Sequence, residues 1–226
     1  AGRSGSLSPW AAGEYGTLDW FALRGEERDE RARIEALERQ VDSLQKVALP
    51  AAESARAHRD ADTPEALTVP RRRADLPPCP AGTQNPGPKQ LRGVLVECAA
   101  DGSTVDVARA LAGRPVVLNL WAYWCAPCAE ELPAMAEYQR RAGDDVTVVT
   151  VHQDENEAAG LLRLADLGVR LPTLQDGQRR IAAALGVPNV MPATVVLRAD
   201  GSVAKILPQA FTSADEIDAA VESALR

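Results

Sequence analysis

The segment Pro115-Val116-Val117-Leu118-Asn119-Leu120-Trp121-Ala122 is almost continuously apolar, and Cys125 and Cys128 follow it at the start of a helical stretch. A run of this length is too short to cross a bilayer and reads as a strand buried on both faces. Such a strand needs neighbours on each edge and helices on each side, so the chain is confined to a layered α/β architecture. The stretch from about Ala126 to Arg141 is predicted to be helical although it contains Pro133.

The remaining sequence supplies the other layers. Val94-Leu95-Val96 reads as a short strand, Asp101-Gly102 as a turn, and Val105–Leu111 as the lead into a tight connection. Val146–Val151 is a second continuous apolar strand, and the spacing of Leu161, Leu162 and Ala165 makes Glu155–Leu167 helical. Gln178–Leu185 is a short helix closed by Gly186, and Thr194–Leu197 with Val203–Leu207 forms a hairpin around Asp200-Gly201. Ser213 and Glu216 have capping-box spacing ahead of a last helix with Ile217, Val221 and Leu225 on one face. The order β-α-β-α-(α)-β-β-α predicts a mixed central sheet flanked by helices, spanning residues 91–226.

The upstream residues read differently. Residues 1–23 are rich in Gly and Ser with scattered aromatics and no period, which predicts weak order. Between about Glu26 and Leu49, Ile34, Leu37, Val41 and Leu44 recur at a/d spacing among charged residues. They predict an amphipathic helix that docks on its own domain, acts as a stalk, or dimerises; about two heptads are short of a coiled-coil signature. Residues 50–90 hold Pro64, Pro70, Pro77, Pro78, Pro80, Pro86 and Pro88, and are predicted to be a linker with extended stretches. The run Arg71-Arg72-Arg73 within them reads as a solvated turn. The domains expected are thus 1–49, a weakly ordered start and amphipathic helix; 50–90, a proline-rich linker; and 91–226, the compact domain.

The C-x-x-C pair carries the chemistry. A free thiol has a pKa of about 8.5, and a helix N-terminus lowers it through unpaired N–H groups and the helix dipole. Cys125 stands at that terminus, while Cys128, one turn further in, can displace whatever Cys125 captures. Trp124 offers an apolar contact beside the nucleophile. Net charge of −7 speaks against nucleic-acid binding, which needs clustered positive charge. Cys79 and Cys98 are expected to form a structural disulfide that clamps the proline-rich segment onto the first strand, worth about 3 kcal/mol for a loop of about 20 residues. Two free thiols, a second redox pair or a four-cysteine zinc site are the other readings, the last weakened by the lack of knuckle spacing. A structural disulfide in turn suggests an oxidising compartment. His152 at a strand end reads as structural or as a substrate contact; His58 suggests nothing.

Trp124-Cys125-Ala126-Pro127-Cys128 at a strand–helix junction, with Pro133 five residues beyond, resembles the thioredoxin superfamily. Met191-Pro192-Ala193-Thr194, about sixty residues later and ahead of the hairpin, resembles that family's cis-proline loop, which packs on the cysteines and pairs with a substrate backbone. Asn119 through Cys125, Glu130-Glu131-Leu132-Pro133, the Asp154–Gly168 segment and Pro172 through Gly177 are similar to the TlpA/ResA-like extracytoplasmic branch. The resemblance covers about residues 91–226 and implies a thioredoxin fold, here with an N-terminal helical and proline-rich extension.

The resemblance implies several roles. Cytosolic thioredoxins carry a buried Asp where this chain has Asn119, and in the TlpA/ResA-like branch the implied substitute for proton transfer is Glu131. A surface carboxylate is the plain alternative for Glu131, and Glu130 is a weaker candidate. Met191 and Pro192 are implied in substrate binding. The expected activity is a thiol-disulfide oxidoreductase that reduces or exchanges disulfides in exported proteins through Cys125 and Cys128. The uncharged Ala126-Pro127 leans toward a reductant. An oxidase using the same cysteines and a redoxin-type peroxidase are the rivals, though the latter's cysteine belongs in a Thr/Ser-rich context without this W-C-x-x-C. Protein disulfides or dithiols and a membrane-located thiol partner are the implied partners, with cytochrome c maturation as one implied task. No organic cofactor or metal is required. The implied location is the bacterial cell envelope, with anchoring by an N-terminal segment that precedes this chain.

Overall fold

The structure, a computed structural model, describes residues 29–41 and 62–226. The chain divides into two units, 1–54 and 55–226. In the first, residues 29–41 form helix α1, on which Ile34, Leu37 and Val41 are exposed. Leu44 and the scattered N-terminal aromatics lie outside the described residues, as does His58.

The described part of the second unit begins with a helix where a linker is expected. Helix α2 (Pro64–Ala74) begins with the Thr63 side chain accepting the Ala66 N–H, Pro64 in the first turn and Glu65 beside it. The three arginines occupy its last turn, where they suit the carbonyl end of the dipole. Pro70 lies inside this helix and leaves one backbone carbonyl without its usual donor. Tertiary packing overrides that cost: Leu67, Pro70 and Ala74 are buried, and Leu67 and Ala74 pack with Ala99 and Leu161. The expectation of a solvated arginine turn is also corrected. Arg71 is largely buried and pairs with the buried Glu157 at 3.0 Å, while Arg73 reaches Asp166 at 3.5 Å.

The strands are β1 (Leu95–Cys98), β2 (Thr104–Asp106), β3 (Val116–Trp121), β4 (Thr147–His152), β5 (Thr173–Gln175), β6 (Ala193–Leu197) and β7 (Val203–Leu207). They form one sheet in the order β2-β1-β5-β4-β3-β6-β7. The β3/β4 and β4/β5 pairs are parallel and the other four antiparallel, so the sheet is mixed. Helices α3 (Val107–Ala110), α4 (Ala126–Ala142), α5 (Glu157–Leu167), α6 (Arg180–Leu185) and α7 (Ala214–Leu225) complete the unit. The β1/β2 hairpin is longer than the single strand expected there, and β5 has no counterpart in the sequence reading. Both involve three-residue strands whose side chains are too few to establish a period.

Side chains alternate across β3 as the pleat requires. Val117 and Trp121 join a core with Leu132, Met135, Ile217 and Val221 of α4 and α7. Val116, Leu118 and Leu120 join the opposite core with Val107, Ile181 and Leu185 of α3 and α6. Every β3 residue is buried, which explains the continuous apolar run.

Cys79 and Cys98 are joined in a disulfide with a Cα–Cα distance of 5.8 Å, tying the segment after α2 to the end of β1. The bond closes a 19-residue separation, and chain entropy makes its loss cost about 3 kcal/mol. Cys79→Ser/Cys98→Ser should therefore show that drop in denaturant unfolding without reductant, and an unchanged midpoint would contradict it.

Candidate active site

Strand β3 ends at Trp121, and the chain turns into α4 within four residues. Cys125 is the N-cap: its backbone is extended (φ −81°, ψ 104°) and its Sγ accepts the Cys128 N–H at 3.3 Å. Pro127 falls in the first turn, where a missing N–H costs nothing. The first turn carries no acidic side chain, so nothing there opposes the field of a 17-residue helix on the Cys125 sulfur. Cys125 and Cys128 form a disulfide with a Cα–Cα distance of 5.3 Å. Cys128 is fully buried, whereas Cys125 keeps slight exposure. All four sulfurs are committed to two disulfides, so a four-cysteine zinc arrangement is not formed.

Glu131 is fully buried, which overturns the plain reading of a surface carboxylate, while Glu130 is exposed. Its Oε2 accepts from Asn119 Nδ2 at 2.7 Å and its Oε1 from the Phe211 N–H at 3.1 Å. Burial pushes its carboxyl from the ordinary 4.5 up to about 7, against these two hydrogen bonds, which favour the ionised form. Asn119 is one member of a buried polar row that crosses four strands in register: Thr173, Thr150, Asn119 and Thr194. Thr150 and Thr173 hydroxyls meet at 2.8 Å, but Asn119 Oδ1 and Thr194 Oγ1 have no partner.

The opposite wall comes from the loop into β6. The Met191–Pro192 peptide is cis, and Ala193, the next residue, pairs with Leu120 near the end of β3. Pro192 is buried, and Met191 packs on the core cluster that contains Cys125 and Cys128. Trp124 is 57% exposed, with its Nε1 donating to Asp154 Oδ2 at 2.9 Å. Val190, which precedes Met191 in this loop, is 44% exposed.

His152 is buried rather than open to a substrate. Its Nδ1 meets Gln175 Oε1 at 2.8 Å, and its ring lies 4.8 Å from that of Trp121 and 6.1 Å from that of Tyr123. Burial lowers its pKa, with the Gln175 bond opposing. Gly160 is needed beneath it, since a Cβ there would come within 2.7 Å of the imidazole. Gln153, Asp154 and Arg179, which border the site, carry no signal that the sequence reading detects. They are isolated polar residues in loops whose proximity depends on sheet order.

A disulfide at the mouth of a helix that follows a central strand, faced by a cis-proline before the next antiparallel strand, defines a thioredoxin-fold dithiol protein. The chain belongs to the Redoxin family, which matches residues 77–221. It is 32% identical over 103 residues to thiol-disulfide oxidoreductase ResA of Bacillus subtilis, covering 45% of this chain and 57% of that protein. The ResA of Oceanobacillus iheyensis is 31% identical over 127 residues, covering 54% and 62%. The chain thus spans less than two thirds of the length of these relatives. Among solved structures, a secreted Mycobacterium tuberculosis disulfide oxidoreductase homologous to E. coli DsbE matches at 26% identity, covering 60% of this chain and 98% of that one, with a TM-score of 0.52. MTB dsbF matches at 26% identity, covering 61% and 98%, with a TM-score of 0.54. Among the described residues no helix is long and apolar enough to cross a membrane.

Glu131 makes a stability prediction with a definite sign. Its pKa is higher folded than unfolded, so the folded state holds the extra proton and stability falls as pH rises from 4.5 to about 7. The loss is on the order of 3 kcal/mol, complete above the folded pKa. Unfolding of the oxidised protein should show this pH-dependent loss, and Glu131→Gln should lack it. Parallel pH profiles for the two proteins would refute the assignment.

Proposed function

We propose that this chain is a thiol-disulfide oxidoreductase that reduces or exchanges disulfides in exported proteins through Cys125 and Cys128. The observation that carries the reading is Cys125 at the N-cap of α4, its sulfur accepting a backbone N–H, with Cys128 buried one turn behind. When the pair is reduced, the helix terminus favours the Cys125 thiolate. That thiolate attacks one sulfur of a substrate disulfide, forming a mixed disulfide and releasing the other sulfur as a thiolate, which takes a proton. Cys128 then loses its proton, attacks Cys125 Sγ and releases the second substrate thiolate, which takes a proton in turn. The substrate gains two electrons and two protons; the protein ends with the Cys125–Cys128 disulfide.

Glu131 is the proton acceptor for Cys128 in this scheme. The two lie at i and i+3 on α4, which places them on one face. A carboxyl titrating near 7 is matched to proton transfer at neutral pH. Asn119 suits either protonation state: its Nδ2 donates to the carboxylate, and a flipped amide offers Oδ1 to a protonated Glu131. Trp124 and Met191–Pro192 form the groove for the substrate chain, and Cys79–Cys98 stays structural.

The reductant direction is supported by the uncharged Ala126-Pro127 between the cysteines. The secreted mycobacterial relative supports an extracytoplasmic setting; the TlpA/ResA-like resemblance adds a membrane thiol partner that recharges the pair and cytochrome c maturation as one candidate task. In this reading the redox module is 91–226, with residues 62–90 packed on it as a strap.

Insulin reduction with dithiothreitol should be abolished by Cys125→Ser, while Cys128→Ser should accumulate a mixed disulfide with its substrate. Glu131→Gln should slow release from that intermediate by about 10²-fold near pH 7. Equal alkylation of Cys125 and Cys128 in the reduced protein at pH 7, or peroxide turnover without a thiol partner, would overturn the reading.

A further inference from the structure

We propose that His152-Gln153-Asp154, at the end of β4, is a frame that sets both walls of the substrate groove beside Cys125. Asp154 fixes the Trp124 wall, and Gln153, acting through Arg179, fixes the wall that leads into Pro192. The inference rests on the reading of Cys125–Cys128 as an exchange site and adds the positioning residues that shape it.

The tripeptide is anchored first to β3. The Gln153 N–H donates to the Trp121 carbonyl at 2.8 Å, four residues before Cys125. One arm then runs outward through Asp154. Its Oδ1 accepts the Asn156 N–H at 2.9 Å, which orients the carboxylate and leaves Oδ2 to receive Trp124 Nε1 at 2.9 Å. The Asp154 carbonyl accepts from Gln175 Nε2 at 2.6 Å, and Gln175 Oε1 meets His152 Nδ1 at 2.8 Å. The neutral Nδ1–H tautomer of the buried His152 therefore holds Gln175, Gln175 holds Asp154, and Asp154 holds an indole ring that is more than half exposed.

The second arm leaves from the Gln153 side chain. Its Oε1 accepts from Arg179 Nε at 2.9 Å, and Arg179 Nη1 donates to Asn189 Oδ1. Asn189 is two residues from Met191–Pro192, so one guanidinium ties the cis-proline loop to the loop after β4.

Unfavourable local features gather on this frame. Arg179 has left-handed backbone (φ 57°, ψ 33°), a conformation a non-glycine residue avoids. His152 Nε2 and Gln153 Nε2 are buried without hydrogen-bond partners. A connection with only a structural task would have relaxed these; strain retained beside a reactive group points to a geometric requirement of the site.

The test measures KM and kcat for insulin disulfides, and the rate with the small disulfide DTNB, for the whole chain. Asp154→Ala and Arg179→Ala should each raise the insulin KM about tenfold, the effect of losing one charge-assisted hydrogen bond. DTNB, which needs no groove, should react within about twofold of the wild-type rate. Asp154→Asn keeps one acceptor oxygen where the carboxylate uses two, so it should restore KM in part, as should Arg179→Lys. Arg179→Gly suits the left-handed backbone and should fold as well as the wild type while showing the same rise as Arg179→Ala. An unchanged insulin KM in both alanine variants, or a parallel fall in insulin and DTNB rates, would sink the frame and leave the exchange reading standing. A wild type that fails to reduce insulin would overturn both.

Discussion

Strand β3 is hydrogen-bonded along both edges and covered on both faces, and the placement of the Cys125 sulfur follows from that enclosure. Its six residues pair with β4 and five of them with β6, so its C-terminal end is fixed from two sides. The chain that leaves this end reaches α4 in four residues, too few for Cys125 to sit anywhere except at the helix mouth. The same pairing fixes the cis-proline loop, because Ala193 is registered against Leu120. Cys125 and the facing loop are thus set by one strand. Small changes at its end would move both together.

Asn119 is the exception on this strand, and its position explains why the exception is tolerated. A polar amide in an apolar core costs free energy unless it is bonded. Asn119 recovers part of that cost by donating to Glu131, and Glu131 recovers part of its own through the Phe211 N–H. The recovery is incomplete, since Asn119 Oδ1 and Thr194 Oγ1 remain unpaired on neighbouring strands. The polar row therefore weakens the core under α4 and in return holds a carboxyl whose proton affinity is near neutrality. An apolar residue at 119 would leave Glu131 with one hydrogen bond and raise its pKa further, away from the range useful for accepting a thiol proton. An Asp there would set two carboxyls against each other at hydrogen-bond distance.

Much of this arrangement was legible in sequence because it is built from long periodic elements. The run at 115–122, the strand ending at His152, the hairpin of β6 and β7 and the last helix each carry a pattern of burial that matches their surroundings. The C-x-x-C was legible because its meaning depends on local context, a strand before and a helix after. Helix α2 was not, since eight prolines across residues 50–90 outweighed the short amphipathic pattern of Leu67, Pro70 and Ala74. Only the face offered by Leu161 of α5 makes that pattern pay. Glu131 could be named from a family resemblance, but its burial depends on how α4 and the Phe211 loop close over Asn119. Gln153, Asp154 and Arg179 depend on sheet order alone, and no spacing along the chain encodes that.

Sheet order also separates the two disulfides by task. Cys98 ends β1, and β5 and β4 stand between β1 and β3. Three strand spacings amount to about 14 Å of lateral separation. Thiol-disulfide exchange requires one sulfur to contact another, so electrons cannot pass from Cys125–Cys128 to Cys79–Cys98 within this fold. The second disulfide instead acts on α2, whose Arg71 reaches Glu157; Asp62, two residues ahead of the helix, accepts the Glu157 and Ala158 N–H groups at 2.7 and 3.3 Å. That strap holds the first turn of α5. In turn α5 supplies Gly160 beneath His152 and Arg163, whose Nε donates to the Tyr123 carbonyl at 3.2 Å. A bond remote from the reactive pair thus keeps the support of the active-site loop in place, and it can do so only while it stays out of the exchange chemistry itself.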